Sequence, residues 1–326
     1  MSVKKYSEAI RDVIAEEMRR DASVFVMGED VADQGGIFGC TKGLLEQFGP
    51  ERIRNTPISE AGFVGAGVGA ASCGMRPIVE LMYMDFTYVA MDQILNQAAK
   101  IRNMFGGKVS LPLVIRGQQG VGRGNAGQHS QSVESIFMHI PGLKVAMPSS
   151  PADAAGLLRS AIRMNDPVMF FEHKALYATA GEVPDDPEFM IPFGKAHVLV
   201  EGRDVTVVCN HLYVQKALNV RAKLEKEGIH MEVIDPRTLV PLDVTTVVES
   251  VKKTGRLVVV HEAHKIGGWG AELASQVQEL AFRYLDAPVL RLGAKQCTLP
   301  FNLGLENAVV PQEADIEAAV KQVCYR

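Results

Sequence analysis

Short apolar runs that alternate with helix-period stretches constrain this chain more than any other feature. SVFVM at 23–27, LPLVIRG at 111–117, GLKVAMP at 142–148 and PVMFFEH at 167–173 each read as a buried strand. Helices are expected at 7–20, where Ser7 can cap and Ile10, Val13, Ile14 and Met18 form one stripe, and at 151–164, which Pro148 and Pro151 help to start. Strands apolar on both faces, separated by helices, imply a parallel sheet covered on both sides. Residues 178–194, ATAGEVPDDPEFMIPFG, are rich in Pro, Gly and acids and read as a linker. Beyond them the alternation restarts, with strands at 204–209, 229–235, 256–262 and 288–293 and helices at 214–227, 243–253, 270–284 and 313–323. The chain of 326 residues is therefore expected to form two α/β domains.

Composition removes several classes of function. Hydrophobic residues make up 47% and charged residues 22%, so there is material for large cores. A net charge of -4 gives no basic excess for a general nucleic-acid binder. No window is long and apolar enough for a membrane span, and the charged N-terminus has no signal-peptide core, so a cytoplasmic protein is expected. Cys40, Cys73, Cys209, Cys297 and Cys324 are scattered without a CxxC, which points to a reducing compartment.

The 30 glycines are concentrated in a few places. In 57–76, PISEAGFVGAGVGAASCGMR, Gly62, Ala66, Ala70 and Gly74 recur at spacing four, and Gly65 and Gly69 make a second row. Each glycine inside a helix costs about 0.8–1 kcal/mol against alanine, so such a helix must be packed very closely. The alternative is a glycine-rich loop. If a helix forms, Ser59 and Glu60 stand at its N-terminus, where the dipole favours an anion.

Two stretches imitate a dinucleotide fingerprint. Gly65-x-Gly67-x-x-Ala70 has no strand just before it, and Gly122-x-Gly124-x-x-Gly127 has no helix until about residue 130. No Walker A or GxSxG pattern occurs, and HEAH at 261–264 offers too few ligands for zinc. The polar loop 116–132, RGQQGVGRGNAGQHSQS, follows a strand and carries His129. Such loops are where α/β proteins place ligands, and a histidine there can act as acid or base.

Taken together, the motifs resemble one family. They are GED at 28–30, RIRNTPISEAGFVGAGVGAA at 52–71, MDQILNQAAK at 91–100, GQHSQS at 127–132, PGLKVAMPSSPADAAGLLRSAI at 141–162, EVIDPRTLVPLD at 232–243 and KTGRLVVVHEA at 253–263. The chain resembles, end to end, the beta subunit of the thiamine-diphosphate-dependent decarboxylating component of 2-oxo acid (pyruvate-type) and acetoin dehydrogenase complexes. The resemblance implies a pyrimidine-binding thiamine diphosphate domain over 1–185 and a transketolase C-terminal-like α/β domain over 195–326. It assigns Glu60 to the aminopyrimidine nitrogen of the cofactor, favouring the tautomer that takes the thiazolium C2 proton. His129 falls on the family's active-site histidine, which manages protons around the bound intermediate and during acyl transfer to a lipoyl group. Ile58, Met82 and Phe86 fall where side chains pack against the pyrimidine.

A structural potassium ion is implied at the backbone of Leu113, Ala161, Ile162, Met164 and Asp166. The family often has Asp where this chain has Met164, a change that backbone ligation survives, and Pro is common where His264 stands. The GDG motif that holds Mg²⁺ and the diphosphate is missing from the sequence. The resemblance therefore assigns Mg²⁺ to an alpha subunit in an alpha2beta2 heterotetramer, served by a lipoyl-bearing dihydrolipoamide acyltransferase core. The small-residue helix is a natural place for inter-subunit packing. Loop sequences lean towards acetoin- and pyruvate-type relatives. The competing readings are a branched-chain 2-oxo acid subunit, a split transketolase-type subunit and a non-catalytic assembly subunit.

Overall fold

A computed structural model of the chain describes residues 1–326. Two compact units emerge: Met1–Gln119 with Ile136–Phe193, and Gly120–Ser135 with Gly194–Arg326. The first runs through β1 (Ser2–Lys5), α1 (Tyr6–Arg20), β2 (Val24–Gly28), α2 (Leu44–Phe48), β3 (Ile53–Asn55), α3 (Glu60–Ser72), β4 (Arg76–Leu81), α4 (Ile101–Met104) and β5 (Val114–Gln119). It resumes through α5 (Glu134–Met138), β6 (Lys144–Ala146), α6 (Pro151–Arg163), β7 (Val168–His173) and β8 (Ala180–Val183). Its main sheet has the order β6-β7-β5-β4-β2-β3, and every one of these pairings is parallel. β5 and β7 are buried along their whole length, as strands covered on both faces must be. β8 lies inside the expected linker and pairs antiparallel with β1.

Two strands of this sheet, the short β3 and β4, escaped the sequence reading. RPIVEL in β4 carries Pro77 and Glu80, which mask its apolar character. Glu80 is accommodated because the fully buried Arg116 on β5 bonds to it. Arg116 also bonds to both carboxylate oxygens of Glu172 on β7, each at 2.6 Å. Burial pushes the Glu80 carboxyl up even with Arg116 beside it.

The stretch 57–76 is a helix from Glu60 to Ser72, and Gly74, with φ +93°, follows its cap. A Cβ on Gly67 would stand 2.7 Å from Val79 Cγ2, so only glycine lets α3 lie this close to β4. A Cβ on Gly65 would stand 3.1 Å from Gln93 Oε1, on the π-helical turn Gln93–Ala98. Gly69 meets nothing within 4 Å, and Gly62, Ala66 and Gly69 are exposed. Helix α1 starts one residue earlier than expected. Ser7 is not its cap; the Glu8 carboxylate accepts the Lys5 N–H at 2.8 Å.

The second unit contains β9 (His197–Val200), β10 (Val205–Cys209), α7 (Leu212–Leu224), β11 (Met231–Asp235), β12 (Thr238–Val240) and α8 (Val244–Thr254). It continues through β13 (Leu257–His264), α9 (Trp269–Ala281), β14 (Leu290–Ala294), α10 (Leu303–Val309) and α11 (Glu313–Val323). Its sheet order is β14-β13-β10-β11-β9, parallel except for β9. Val207, Val233, Val260, Leu224, Ile316 and Val320 form its core. Asp243 caps α8 by accepting the Thr246 N–H at 3.2 Å. No helix is long and apolar enough to cross a membrane.

Candidate functional site

Ligands of parallel α/β sheets gather at the carboxyl ends of the strands. Here that edge carries two acids. Glu29 follows β2 directly, and Glu60 is the first residue of α3. They are 5% and 6% exposed. The turn into Glu29 is tight: a Cβ on Gly28 would lie 2.6 Å from the Glu80 carbonyl oxygen on β4. The Glu29 carboxyl is pushed up to about 7, first by burial, then by the charge on Glu60 and that on Asp30. Its Oε1 is buried without a hydrogen-bond partner. A carboxyl half-protonated near neutral pH can share a proton with a neighbour. The orphaned oxygen calls for a donor from outside the chain. Both properties fit the nitrogen-rich edge of an aminopyrimidine.

The apolar residues assigned by resemblance lie around this edge. Ile58, in the turn before α3, is 82% exposed, which leaves a bare apolar surface beside the carboxyl pair. Met82 directly follows β4, and Phe86 lies in the 3-10 turn Met84–Tyr88; both are half-buried. Because Gly28 is in register with Glu80, Glu29 leaves β2 level with Leu81, the residue before Met82. Glu29 itself was not singled out as a chemical residue, although an acid directly after a buried apolar run was a readable signal. Gln118, near the end of β5, was also missed. It is 1% exposed, and both its amide atoms are buried without partners.

His129 belongs to the segment Gly120–Ser135, which clusters with the second unit. The residue is half-buried, and its backbone N–H donates to the Ala126 carbonyl at 3.4 Å. The glycine pattern 122–127 in this segment is also accounted for. The N–H groups of Gly122 and Gly124, which would face a phosphate in a dinucleotide site, donate to Glu306 Oε2 at 2.9 and 3.4 Å. In HEAH, His261 is a core residue held neutral by burial, its pKa lowered to about 4. Its Nδ1 lies 3.0 Å from the Ala263 carbonyl oxygen. Any Cβ on Gly268, Gly270 or Gly293 would come within 2.9 Å of its ring.

The carbonyls assigned to potassium gather where α6 ends beside the start of β5. Leu111 N–H donates to Asn165 O at 3.0 Å, and Val168 N–H to Leu113 O at 2.8 Å. A guanidinium nitrogen of Arg76 donates to Ile162 O at 2.9 Å and Met164 O at 3.0 Å. The Asp166 carboxylate pairs with Arg102. A helix C-terminus lined by carbonyl oxygens draws cations, and Arg76 is a stand-in cation there. The carbonyls of Leu113, Ala161, Ile162 and Met164 each already accept a hydrogen bond from the chain, so a hard monovalent ion would share them through their second lone pairs.

A parallel pyrimidine-type sheet with a buried carboxyl pair, joined in sequence to a smaller α/β unit, defines a transketolase-like protein. Residues 3–179 match the transketolase pyrimidine binding domain, and residues 194–316 the transketolase C-terminal domain. The chain is 47% identical over 326 residues to the pyruvate dehydrogenase E1 component subunit beta of Rhizobium meliloti, covering all of this chain and 71% of that protein. It is 49% identical over 318 residues to the Rickettsia bellii protein of the same name, covering 98% of each. It is also 49% identical to the acetoin:2,6-dichlorophenolindophenol oxidoreductase subunit beta of Cupriavidus necator, covering 96% and 95%. A solved split-gene transketolase, described as an inactive beta4 tetramer, shares the fold with a TM-score of 0.79 at 24% identity, covering 98% of both chains. The chain belongs to the transketolase family, in the branch formed by the beta subunits of pyruvate dehydrogenase E1 components and acetoin oxidoreductase.

Proposed function

We propose that this chain is the catalytic beta subunit of a thiamine-diphosphate-dependent dehydrogenase component that cleaves acetoin or decarboxylates pyruvate. It works in the cytoplasm, in an alpha2beta2 heterotetramer whose alpha subunit holds Mg²⁺ and the diphosphate. The acyl product passes to the lipoyl group of a dihydrolipoamide acyltransferase core. The observation that carries this reading is the buried Glu29–Glu60 pair with its orphaned oxygen. Identities of 47% and 49% to pyruvate- and acetoin-type subunits support it. The split-transketolase alternative is matched by a solved structure at only 24% identity.

Thiamine diphosphate, when bound, supplies a carbanion for attack on a carbonyl and a sink for the electrons released as a carbon–carbon bond breaks. This chain's residues do the rest. Glu60 hydrogen-bonds the pyrimidine ring nitrogen, and the raised carboxyl of Glu29 is the buried proton reservoir beside it. Ile58, Met82 and Phe86 seat the ring and keep water off it. His129 moves a proton at the substrate oxygen. Leu113, Ala161, Ile162, Met164 and Asp166 hold potassium through their carbonyls, a structural role. Residues 1–185 form the pyrimidine half and 195–326 the C-terminal half.

The test is reconstitution with a GDG-bearing alpha subunit, followed by a turnover screen of acetoin, pyruvate and branched 2-oxo acids. The pair is expected to turn over acetoin or pyruvate, and the chain alone to turn over nothing. Full activity from the chain alone would overturn the reading.

A further inference from the structure

The segment that carries His129 has no regular structure between the end of β5 and the start of α5. A stretch of this kind leaves many backbone groups in search of partners and is mobile unless something ties it down. Two buried carboxylates do so. Glu262, on β13, accepts the Val121 N–H at 2.8 Å and the Ser132 hydroxyl at 3.0 Å, both through Oε1. One oxygen thus ties the entry of the loop to its exit. The Gly120 N–H closes the same base on the Gln131 carbonyl at 3.1 Å. Glu306, fully buried in α10, takes the next two donors, Gly122 and Gly124, as described above.

Towards the tip the loop lies hard against the segment before α10. A Cβ on Gly124 would stand 2.5 Å from the Phe301 carbonyl oxygen, and one on Gly127 would stand 2.4 Å from Thr298 Cγ2. This is a closed loop whose ends meet, fastened by acceptors from elsewhere in its own unit. Hydrogen bonds to carboxylates are stronger than neutral ones, and low dielectric strengthens them further.

We infer that Glu262 and Glu306 are positioning residues: they clamp the loop in the one conformation that presents His129. The inference rests on the proposed role of His129. Neither carboxylate touches substrate; each acts through the backbone it holds. A gap of about 1 Å at a reacting group can cost 100-fold in rate, so the clamp matters to kcat more than to substrate binding. Glutamine at 262 keeps an acceptor oxygen at the same reach, whereas alanine removes it. That pair of variants separates the acceptor role from the presence of a charge.

The experiment uses the chain assembled with its alpha subunit and compares Glu262→Ala, Glu262→Gln, Ser132→Ala and His129→Ala. Turnover is read together with amide hydrogen exchange over 120–132. Glu262→Ala is expected to lower kcat by about 10- to 100-fold while KM for the 2-oxo acid changes little, with faster exchange at Val121. Glu262→Gln is expected to restore both readouts, and Ser132→Ala to fall between. Parental kcat and exchange in Glu262→Ala overturn the inference, as does a Glu262→Gln variant as impaired as Glu262→Ala. If Glu262→Ala does not assemble, Ser132→Ala decides: faster exchange and lower kcat support the clamp, and parental values overturn it. A fully active His129→Ala removes the proposed role of the histidine instead, and the exchange data still read the clamp separately.

Discussion

Glu29, at the end of β2, and Glu60, at the head of α3, are buried neighbours. The charge on Glu60 adds to burial in holding the Glu29 carboxyl up at about 7. Between an ordinary carboxyl value of 4.5 and about 7, the folded chain therefore keeps a proton at Glu29 that the unfolded chain has released. The stability associated with this group is present at low pH and is lost as pH rises through that window. Glu29→Gln, which cannot ionise, is expected to be more stable than the parent at pH 8, by up to about 3 kcal/mol. The gain should vanish towards pH 5. Denaturant unfolding of both proteins at the two pH values checks this; a gain independent of pH would show that Glu29 does not titrate in the window.

Glu60→Gln, purified with the alpha subunit, is expected to assemble normally and to lose turnover by about 100-fold or more. Gel filtration and a substrate assay suffice. Unchanged turnover would move the chain to the non-catalytic assembly reading.

Two glycines of the same helix should answer oppositely to one methyl group. Gly69→Ala adds its methyl in open space and is expected to stabilise the isolated chain by about 0.8–1 kcal/mol through helix propensity. Gly67→Ala drives its methyl to 2.7 Å from Val79 and is expected to destabilise by about 1–3 kcal/mol. If the exposed face of α3 seats another subunit, Gly69→Ala also weakens assembly with the alpha subunit. Thermal melts and a titration with the partner read the two effects apart.

Arg116→Met strands Glu80 and Glu172 in the sheet core without a counter-charge. The loss expected is about 3–5 kcal/mol, measured by urea unfolding. A loss below about 1 kcal/mol would mean that both acids are already neutral in the folded chain.

The carbonyls at the end of α6 give a further check. Melting in potassium chloride is expected to exceed melting in choline chloride at equal ionic strength by about 2–4 °C. Equal melting temperatures would remove potassium from the proposal and leave Arg76 as the only cation at Ile162 and Met164.

Strand and helix identity was mostly legible because burial on both faces leaves a signature in composition. VFVMG, VIRGQQ and VMFFEH sit on the buried strands β2, β5 and β7. β4 was not legible. Its Glu80 is tolerated only because Arg116, far away in sequence, lies opposite it in register. Glu29 was legible as an acid after a buried run, but its pairing with Glu60 was not.

The residue order by itself determined the two α/β units, the family and the identity of Glu60 and His129 as residues to watch. All of these follow from local periodicity or contiguous motifs. Only the tertiary structure decided that Glu29 joins Glu60, that the Gly122–Gly124 donors are spent on Glu306, and that Glu262 fastens both ends of the His129 loop. Each of these is a meeting of groups distant along the chain, and their separation and desolvation exist only once the sheets have closed around them.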